Sequence, residues 1–551
     1  MYSRLSYFSE DLLKISRKCD EMNFIDDVEC NHNTWSKWLV TGAIFGLIFD
    51  NIPKILQLST ISGGFSCKLS WYFLVILMIL WIYQIYRGNF IIEKEDSLFI
   101  KYIFCLMFIV LLSNILGLVN YPYYNELLSG PSSQIEKLPA VLALLNSHGI
   151  PIDEKHLTII WVGVRSIKGA ILDVLYTFGF SFILYQLFKS NWSYYFNLIT
   201  KVVTASIILL SIYSIIELFY LADFDFAKYI LSYVNPMIHP IAVDHGWWPP
   251  LLWERQLRSM FSEPSRMGNY LAFALPFLWG KFLLSDKKHI GLISLITFYT
   301  FMIFMTKART AVAMYWGVLA LLFLGILYIH RKDLFKRFFT LCGITVLSLV
   351  LSIGFINVTT QNSNKSNDNN QDMTIASYMD DNVGSLKSAN KRSNGARYAL
   401  IRANIKTGIE YPILGVGDVL SSAYTVHNFN ESDFANTEVH MWVTNYNKAG
   451  VLRYGFNAMN EYVSRFANNG IIGLIAYILP LIYVALRLLK CFKCSGGIEQ
   501  IKIMITGISL IGSAVAGCNG SLSLLYAYWV ILAFSYAIVN EIRKKNMIGL
   551  T

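Results

Sequence analysis

From Ile503 to Asn540 the chain carries no charged residue. An α-helix rises 1.5 Å per residue, so one continuous helix over that stretch would far overshoot a hydrocarbon layer of about 30 Å. Gly517, Asn519 and Gly520 fall near its middle and supply a turn. The stretch therefore predicts two membrane-spanning helices joined as a hairpin. Composition points the same way: of 551 residues 55% are hydrophobic and 15% charged, with a mean hydropathy of +0.45, where a soluble domain carries about 25% charged residues. That balance excludes a cytosolic globule and a disordered chain. The 36 Phe, 33 Tyr and 13 Trp suit a protein with long boundaries between hydrocarbon and headgroups.

The expected fold is an all-α polytopic integral membrane protein with about twelve transmembrane helices. Apolar runs place them at 37–58, 69–87, 98–120, 168–188, 196–220, 267–284, 289–306, 310–330, 338–358, 468–489, 501–517 and 521–541. Asp50, Pro53 and Lys54 interrupt the first. Short loops carry Lys281, Lys287 and Lys288, then Arg331, Lys332, Lys336 and Arg337, then Lys490, Lys493 and Lys502, with Arg543 to Lys545 after the last span. All share one side if both termini are cytoplasmic, as the excess of Lys and Arg in cytoplasmic loops requires. The chain then divides into a cytoplasmic segment 1–36, spans one to nine over 37–358 with outer loops 121–167 and 221–266, a large extracytoplasmic loop 359–467, spans ten to twelve over 468–541, and a cytoplasmic tail 542–551. Within the large loop Gln361 to Asp372 is a polar tract that cannot bury a core and is expected to be mobile.

The net charge of +10 follows mostly from this orientation rule, so nucleic acid is not an expected partner. The eight Cys are scattered, with none in the three outer loops, which argues against a disulfide framework. Cys491 and Cys494 form a CxxC with no second pair and no nearby His, a weak metal signal that reads as two thiols at a helix end. No P-loop, dinucleotide fingerprint or paired-Asp metal motif is present, so no cofactor and no metal is expected.

Orientation leaves a surplus of arginine on the outer side: Arg255, Arg258, Arg266, Arg309, Arg397, Arg402, Arg453 and Arg465 lie outside or at the outer end of a span. Many surface charges do little. Arg309, however, stands in the tight turn Thr306-Lys307-Ala308-Arg309-Thr310 between two apolar helices, where a charge needs an anionic partner, a headgroup or water. Guanidinium fits phosphate through its planar fork. These residues point to a phosphorylated or pyrophosphorylated ligand presented at the outer leaflet.

Two segments carry a resemblance. One runs Arg258-Ser-Met-Phe-Ser-Glu263-Pro264-Ser-Arg266-Met-Gly268 into a span. The other holds Asn394-Gly395-Ala396-Arg397-Tyr398, then Tyr411-Pro412-Ile-Leu414-Gly415-Val-Gly417, then Asn460-Glu461-Tyr462 and Gly470-Ile-Ile-Gly473-Leu. With Lys307 to Thr310, their order and placement resemble the O-antigen polymerase and ligase superfamily of membrane glycosyltransferases, the Wzy-type polymerases in particular. The resemblance covers about residues 250 to 480. Met459 stands where O-antigen ligases, and some polymerases, have histidine; His427 and His440 lie in the same loop, where lone histidines are usually solvated.

The resemblance implies a polysaccharide polymerase at the cytoplasmic (inner) membrane of a bacterium, joining oligosaccharide units linked to polyprenyl pyrophosphate on the outer side, for O-antigen, capsule or exopolysaccharide. Its partners would be that lipid-linked donor and acceptor, membrane lipids, and a chain-length regulator and flippase of the same pathway. Arg258, Arg309 and Arg397 are the expected pyrophosphate clamp, with Arg402 and Arg266 further phosphate-binding candidates. Glu263 and Glu461 are the candidate bases for the acceptor hydroxyl. Each has a structural alternative, a helix cap for Glu263 and an i,i+4 ion pair with Arg465 for Glu461. Asn460, Tyr462 and Trp253 are expected at the substrate, although Trp247, Trp248 and Trp253 equally suit an interfacial belt. Glu217, Asp223 and Asp225 near the end of span five read as interfacial carboxylates. Two other functions fit the same chain: a ligase moving the glycan to another acceptor, and a non-enzymatic flippase. A flippase would place its basic residues along a path through the membrane interior, and here they gather at the outer ends.

Overall fold

A computed structural model of the protein describes residues 35–88, 92–131, 134–240, 256–285, 290–363, 373–382, 384, 392–456 and 458–548. Trp247, Trp248, Trp253, Arg255 and residues 364–372 of the polar tract lie outside the described residues. The long helices are α1 Trp35–Ile48, α2 Leu69–Tyr86, α3 Lys94–Val119, α4 Glu154–Phe188, α5 Trp192–Leu221, α6 Asp225–Ile238, α7 Pro264–Leu284, α8 Ile290–Met305, α9 Arg309–Ile329, α10 Lys332–Ser363, α11 Arg392–Glu410, α12 Glu461–Cys494, α13 Gly497–Val515 and α14 Tyr526–Ile548. Among the described residues there is no strand. Eight of these helices, α2 to α5, α9, α10, α12 and α13, are long and apolar enough to cross a membrane. Helices α1 and α8 are shorter and apolar, and α7 and α14 are largely wrapped by protein.

The charge-free stretch folds as a hairpin: α13 ends at Val515, a tight turn covers Ala516–Asn519, and α14 follows. Helix α7 lies at the centre, packed against α9 and α13. Small residues let these backbones approach, as expected for helices in hydrocarbon. A Cβ on Gly268 would stand 2.7 Å from Ala311 Cα, and one on Gly512 would stand 3.1 Å from the Ala272 carbonyl. Ser509 Oγ also donates to the Phe273 carbonyl at 2.9 Å.

Two expected spans are corrected. Helix α1 stops at Ile48 and does not run to residue 58; Asp50 leaves the helical path and turns its carboxylate to Ser262. Helix α4 begins at Glu154, well before the expected 168. Its charges hid this: the expected span opens at Lys168, and Glu154, Lys155 and Arg165 before it read as loop. In the structure Arg165 donates to the Leu452 carbonyl at 2.6 Å, Lys168 to the Thr60 carbonyl at 3.0 Å, and Asp173 pairs with Arg465 at 2.6 Å.

The large outer segment is anchored by backbone. Val416 and Gly417 donate to the carbonyls of Ala467 and Asn468 at 3.1 and 2.8 Å, and Ile471 donates back to Pro412 at 2.8 Å. The exchange is possible because α12 breaks at Gly470, with φ +64° and ψ −169°, a conformation open in practice only to glycine. A Cβ there would lie 2.3 Å from the Ile413 carbonyl carbon. Gly470→Ala should therefore destabilise the protein by about 1–3 kcal/mol or more, read as a lower thermal midpoint in detergent. Gly163→Ala, which meets open space, is the control. Equal midpoints for the two variants would contradict the latch.

Candidate functional site

The segment before α7 has no regular structure, so its amides need other partners. Two buried carboxylates provide them. Glu217 of α5 accepts from the amides of Arg258 and Ser259 at 3.0 and 2.7 Å. Asp50 accepts from the amide and hydroxyl of Ser262 at 2.9 and 2.7 Å. Leu257 donates to the Met305 carbonyl at 3.1 Å, which ties the segment to the turn that carries Arg309. Ser259 adopts φ +53° between these anchors.

Arg309 opens α9 and donates to Asn394 Oδ1 at 2.6 Å. Asn394 stands three residues before Arg397 on α11. Arg397 donates to Asn519 Oδ1 from the hairpin turn. Burial, then the Arg309 guanidinium, lower the Arg397 pKa, while Glu263 and Glu438 act in the opposite direction. The structure thus brings Arg309, Arg397 and Glu263 together, although they come from a hairpin turn, an outer helix and a loop. Glu263 occupies the N-cap position of α7, but its side chain accepts no capping bond from the backbone. It receives Ser265 Oγ at 3.3 Å and remains half-buried. Arg258 is buried, its charge bearing on Glu217 and His239. Arg266 faces Asp50 at 3.4 Å.

Other expected site residues are engaged elsewhere. Glu461 is buried, accepting from Arg465 Nε at 2.7 Å and from the Leu522 amide at 3.1 Å. The i,i+4 ion pair is therefore present, and both carboxylate oxygens are occupied. Arg465 continues to Asp173 at 2.6 Å and Ser523 at 2.9 Å and lies over the Tyr477 ring, so this network ties α4, α12 and the hairpin. Arg402 pairs with Asp433; five residues beyond Arg397, it lies well round the helix from it. Asn460 caps α12, accepting from the amides of Tyr462 and Val463 at 3.0 and 3.2 Å. Tyr462 donates its hydroxyl to the Ala514 carbonyl at 2.7 Å. Trp253 lies outside the described residues. His427 stacks on Tyr123 and bonds to Glu126 at 2.7 Å, exposed. Met459 packs against the apolar cluster of Ala396, Leu400 and Val439.

Sequence reasoning did not find Glu438, and it read Asn394 only as part of a motif and Asn519 only as a turn residue, because polar residues on helix starts and turns carry no periodic signal. Asp50 and Glu217 were visible only as charges near span ends. Among the described residues no group of His, Cys, Asp and Glu is placed to hold a metal ion.

His239 follows α6 and is buried between Asp50 and Arg258. Burial drives its pKa down to about 4, which Asp50 opposes and Arg258 reinforces. Between that value and the ordinary one near 6.5, the unfolded chain binds the proton that the folded one refuses. Stability from this group is complete above about pH 6.5 and is lost as pH falls toward 4. The thermal midpoint should fall over that interval in wild type, and His239→Asn should flatten the fall. An unchanged slope in the variant would remove His239 from this account.

Residues 292–478 match the model of the family described as O-Antigen ligase. The match contains Arg309, Arg397, Met459 and Glu461; Arg258 and Glu263 precede it. No curated protein matches the chain.

Proposed function

We propose that this protein is a polysaccharide polymerase acting on lipid-linked oligosaccharides at the outer face of the cytoplasmic membrane, a reading supported by the match of residues 292–478 to the O-antigen ligase family and by eight helices, among the described residues, long and apolar enough to cross a membrane. The observation that carries this reading is the pair Arg309 and Arg397, joined through Asn394 and flanked by Glu263. In the reaction the C1–O bond of the donor sugar breaks and the polyprenyl pyrophosphate departs with the electron pair. The acceptor hydroxyl oxygen forms the new bond to C1, and its proton passes to the Glu263 carboxylate. Charge on the leaving pyrophosphate grows as C1–O breaks, so guanidinium groups already oriented toward it stabilise the transition state more than the ground state. The amide oxygens of Asn394 and Asn519 hold the two arginines in place. Arg258, anchored to Glu217 through its backbone, fixes the loop that carries Glu263.

A ligase is the second reading, favoured by the description of the matched family. Polymerase is favoured by Met459, an apolar side chain in apolar surroundings where a ligase would place a proton-accepting histidine.

Arg309→Ala and Arg397→Ala should each lower turnover about 10²- to 10³-fold, and Lys at either position should recover little if the contact is bidentate. With lipid-linked units as substrate, the variants should leave single units unextended. Normal polymer length and yield in both Ala variants, at wild-type protein levels, would refute the assignment. Transfer to an unrelated acceptor with no polymer formed would select the ligase.

The outer location has its own check. Asn430 is exposed in the segment that carries the site, and a cysteine placed there in a background without exposed thiols should react with an impermeant reagent added outside intact cells. Labelling only after lysis would reverse the orientation.

A further inference from the structure

A cavity of about 60 Å³ opens among the end of α1, the starts of α2 and α7, and the segment before α14; Phe261 and Arg266, which flank Glu263 in sequence, line it, and Arg309, Asn394 and Arg397 do not. A single water needs roughly 10–15 Å³ of such space, so the cavity takes several waters or one small acid group, but not a sugar ring. Its wall includes Asp50, Lys68, Ser70, Arg266, Asn269 and Tyr526.

The chemistry of that wall is incomplete. Lys68 is 7% exposed, and among the described residues no hydrogen bond or ion pair within 4.0 Å engages its ammonium. A buried charge needs a partner. Asp50 is largely committed, since its oxygens already accept from Ser262 and face Arg266. Ser70 Oγ and Tyr526 OH are buried and have no hydrogen-bond partner, which is rare for donors in a packed interior. Two cations and two unsatisfied hydroxyls against one occupied carboxylate make a site that lacks an anion. The charge of Glu263 is felt by Lys68 and Arg266 as well as by Arg397, so one carboxylate is within electrostatic reach of both groups of cations.

We infer that Lys68 and Arg266, with Ser70 and Tyr526, form a second anion subsite that takes an acid group, carboxylate or phosphate, borne by the acceptor sugar that supplies the attacking hydroxyl. This rests on the reading of Glu263 as base and of Arg309 and Arg397 as the pyrophosphate clamp. If the donor's pyrophosphate lies on one side of Glu263 and the acceptor hydroxyl at it, the group beyond belongs to the acceptor. The cavity admits only a substituent, so the subsite selects acidic acceptor sugars by charge.

The test uses the full chain in nanodiscs at fixed ionic strength, with thermal midpoint as the readout and glucuronate, glucose 6-phosphate, glucose and inorganic pyrophosphate as probes. Wild type should be stabilised by pyrophosphate and by at least one acidic sugar, and not by glucose; the stronger of glucuronate and glucose 6-phosphate identifies carboxylate or phosphate. Lys68→Gln should abolish the acidic-sugar response and keep that to pyrophosphate, while Arg397→Gln should do the reverse. If Lys68→Gln fails to fold, Ser70→Leu fills the same cavity and should give the same loss, with Lys68→Arg retaining the response. No acidic-sugar response in wild type overturns the subsite and leaves the clamp standing. Loss of the pyrophosphate response in Lys68→Gln also overturns it, because the cavity would then belong to the donor. Absence of any pyrophosphate response in wild type, with the acidic-sugar response intact, would instead count against the clamp.

Discussion

The site depends on two carboxylates that bind backbone rather than substrate. Irregular chain at the ends of apolar helices has little water to satisfy its amides, and each unsatisfied group costs several kcal/mol. Glu217 and Asp50 take the amides of Arg258, Ser259 and Ser262, so the loop can turn sharply, with Ser259 at φ +53°, while these donors keep partners. This fixes where α7 begins and hence where Glu263 stands. It also explains why charge occurs near the ends of α1 and α5, where an apolar residue would better suit a span.

A second constraint joins the outer segment to the helices. The stretch from Tyr411 to Gly417 and the stretch from Asn460 to Gly473 carried the resemblance to a glycosyltransferase family, and both turn out to serve architecture. Their backbones bond to each other across the break at Gly470, Asn460 caps α12, and Tyr462 holds α13. Glycine is required at Gly470 because a side chain would meet the facing carbonyl.

This division also marks what was legible in the sequence. Long apolar runs gave helices close to their expected positions, because hydrocarbon imposes length and composition together. The hairpin in the charge-free stretch was readable from Gly517 and Asn519. The early start of α4 was not, because Glu154, Lys155 and Arg165 look like loop until a distant partner such as the Leu452 carbonyl is known. Lys68 is the clearest case of the same limit: one lysine before a span carries no functional signal in sequence, and only the fold places it in the wall of a cavity with Arg266. Pairings between residues hundreds of positions apart leave no periodic trace.

Among the arginines, the chemistry of the partner separates roles that the sequence presents as equal. Arg465 pairs with the carboxylates of Glu461 and Asp173, and Arg402 with that of Asp433. Those pairs neutralise the charge they orient, which suits a brace between helices. Arg309 and Arg397 are each held through a side-chain amide oxygen, Asn394 and Asn519. An amide oxygen fixes the plane of a guanidinium without neutralising its charge, as a carboxylate would. Burial first, and then the neighbouring Arg309 guanidinium, lower the Arg397 pKa. Two cations side by side in a partly buried place repel each other, and an anion held between them would relieve that repulsion.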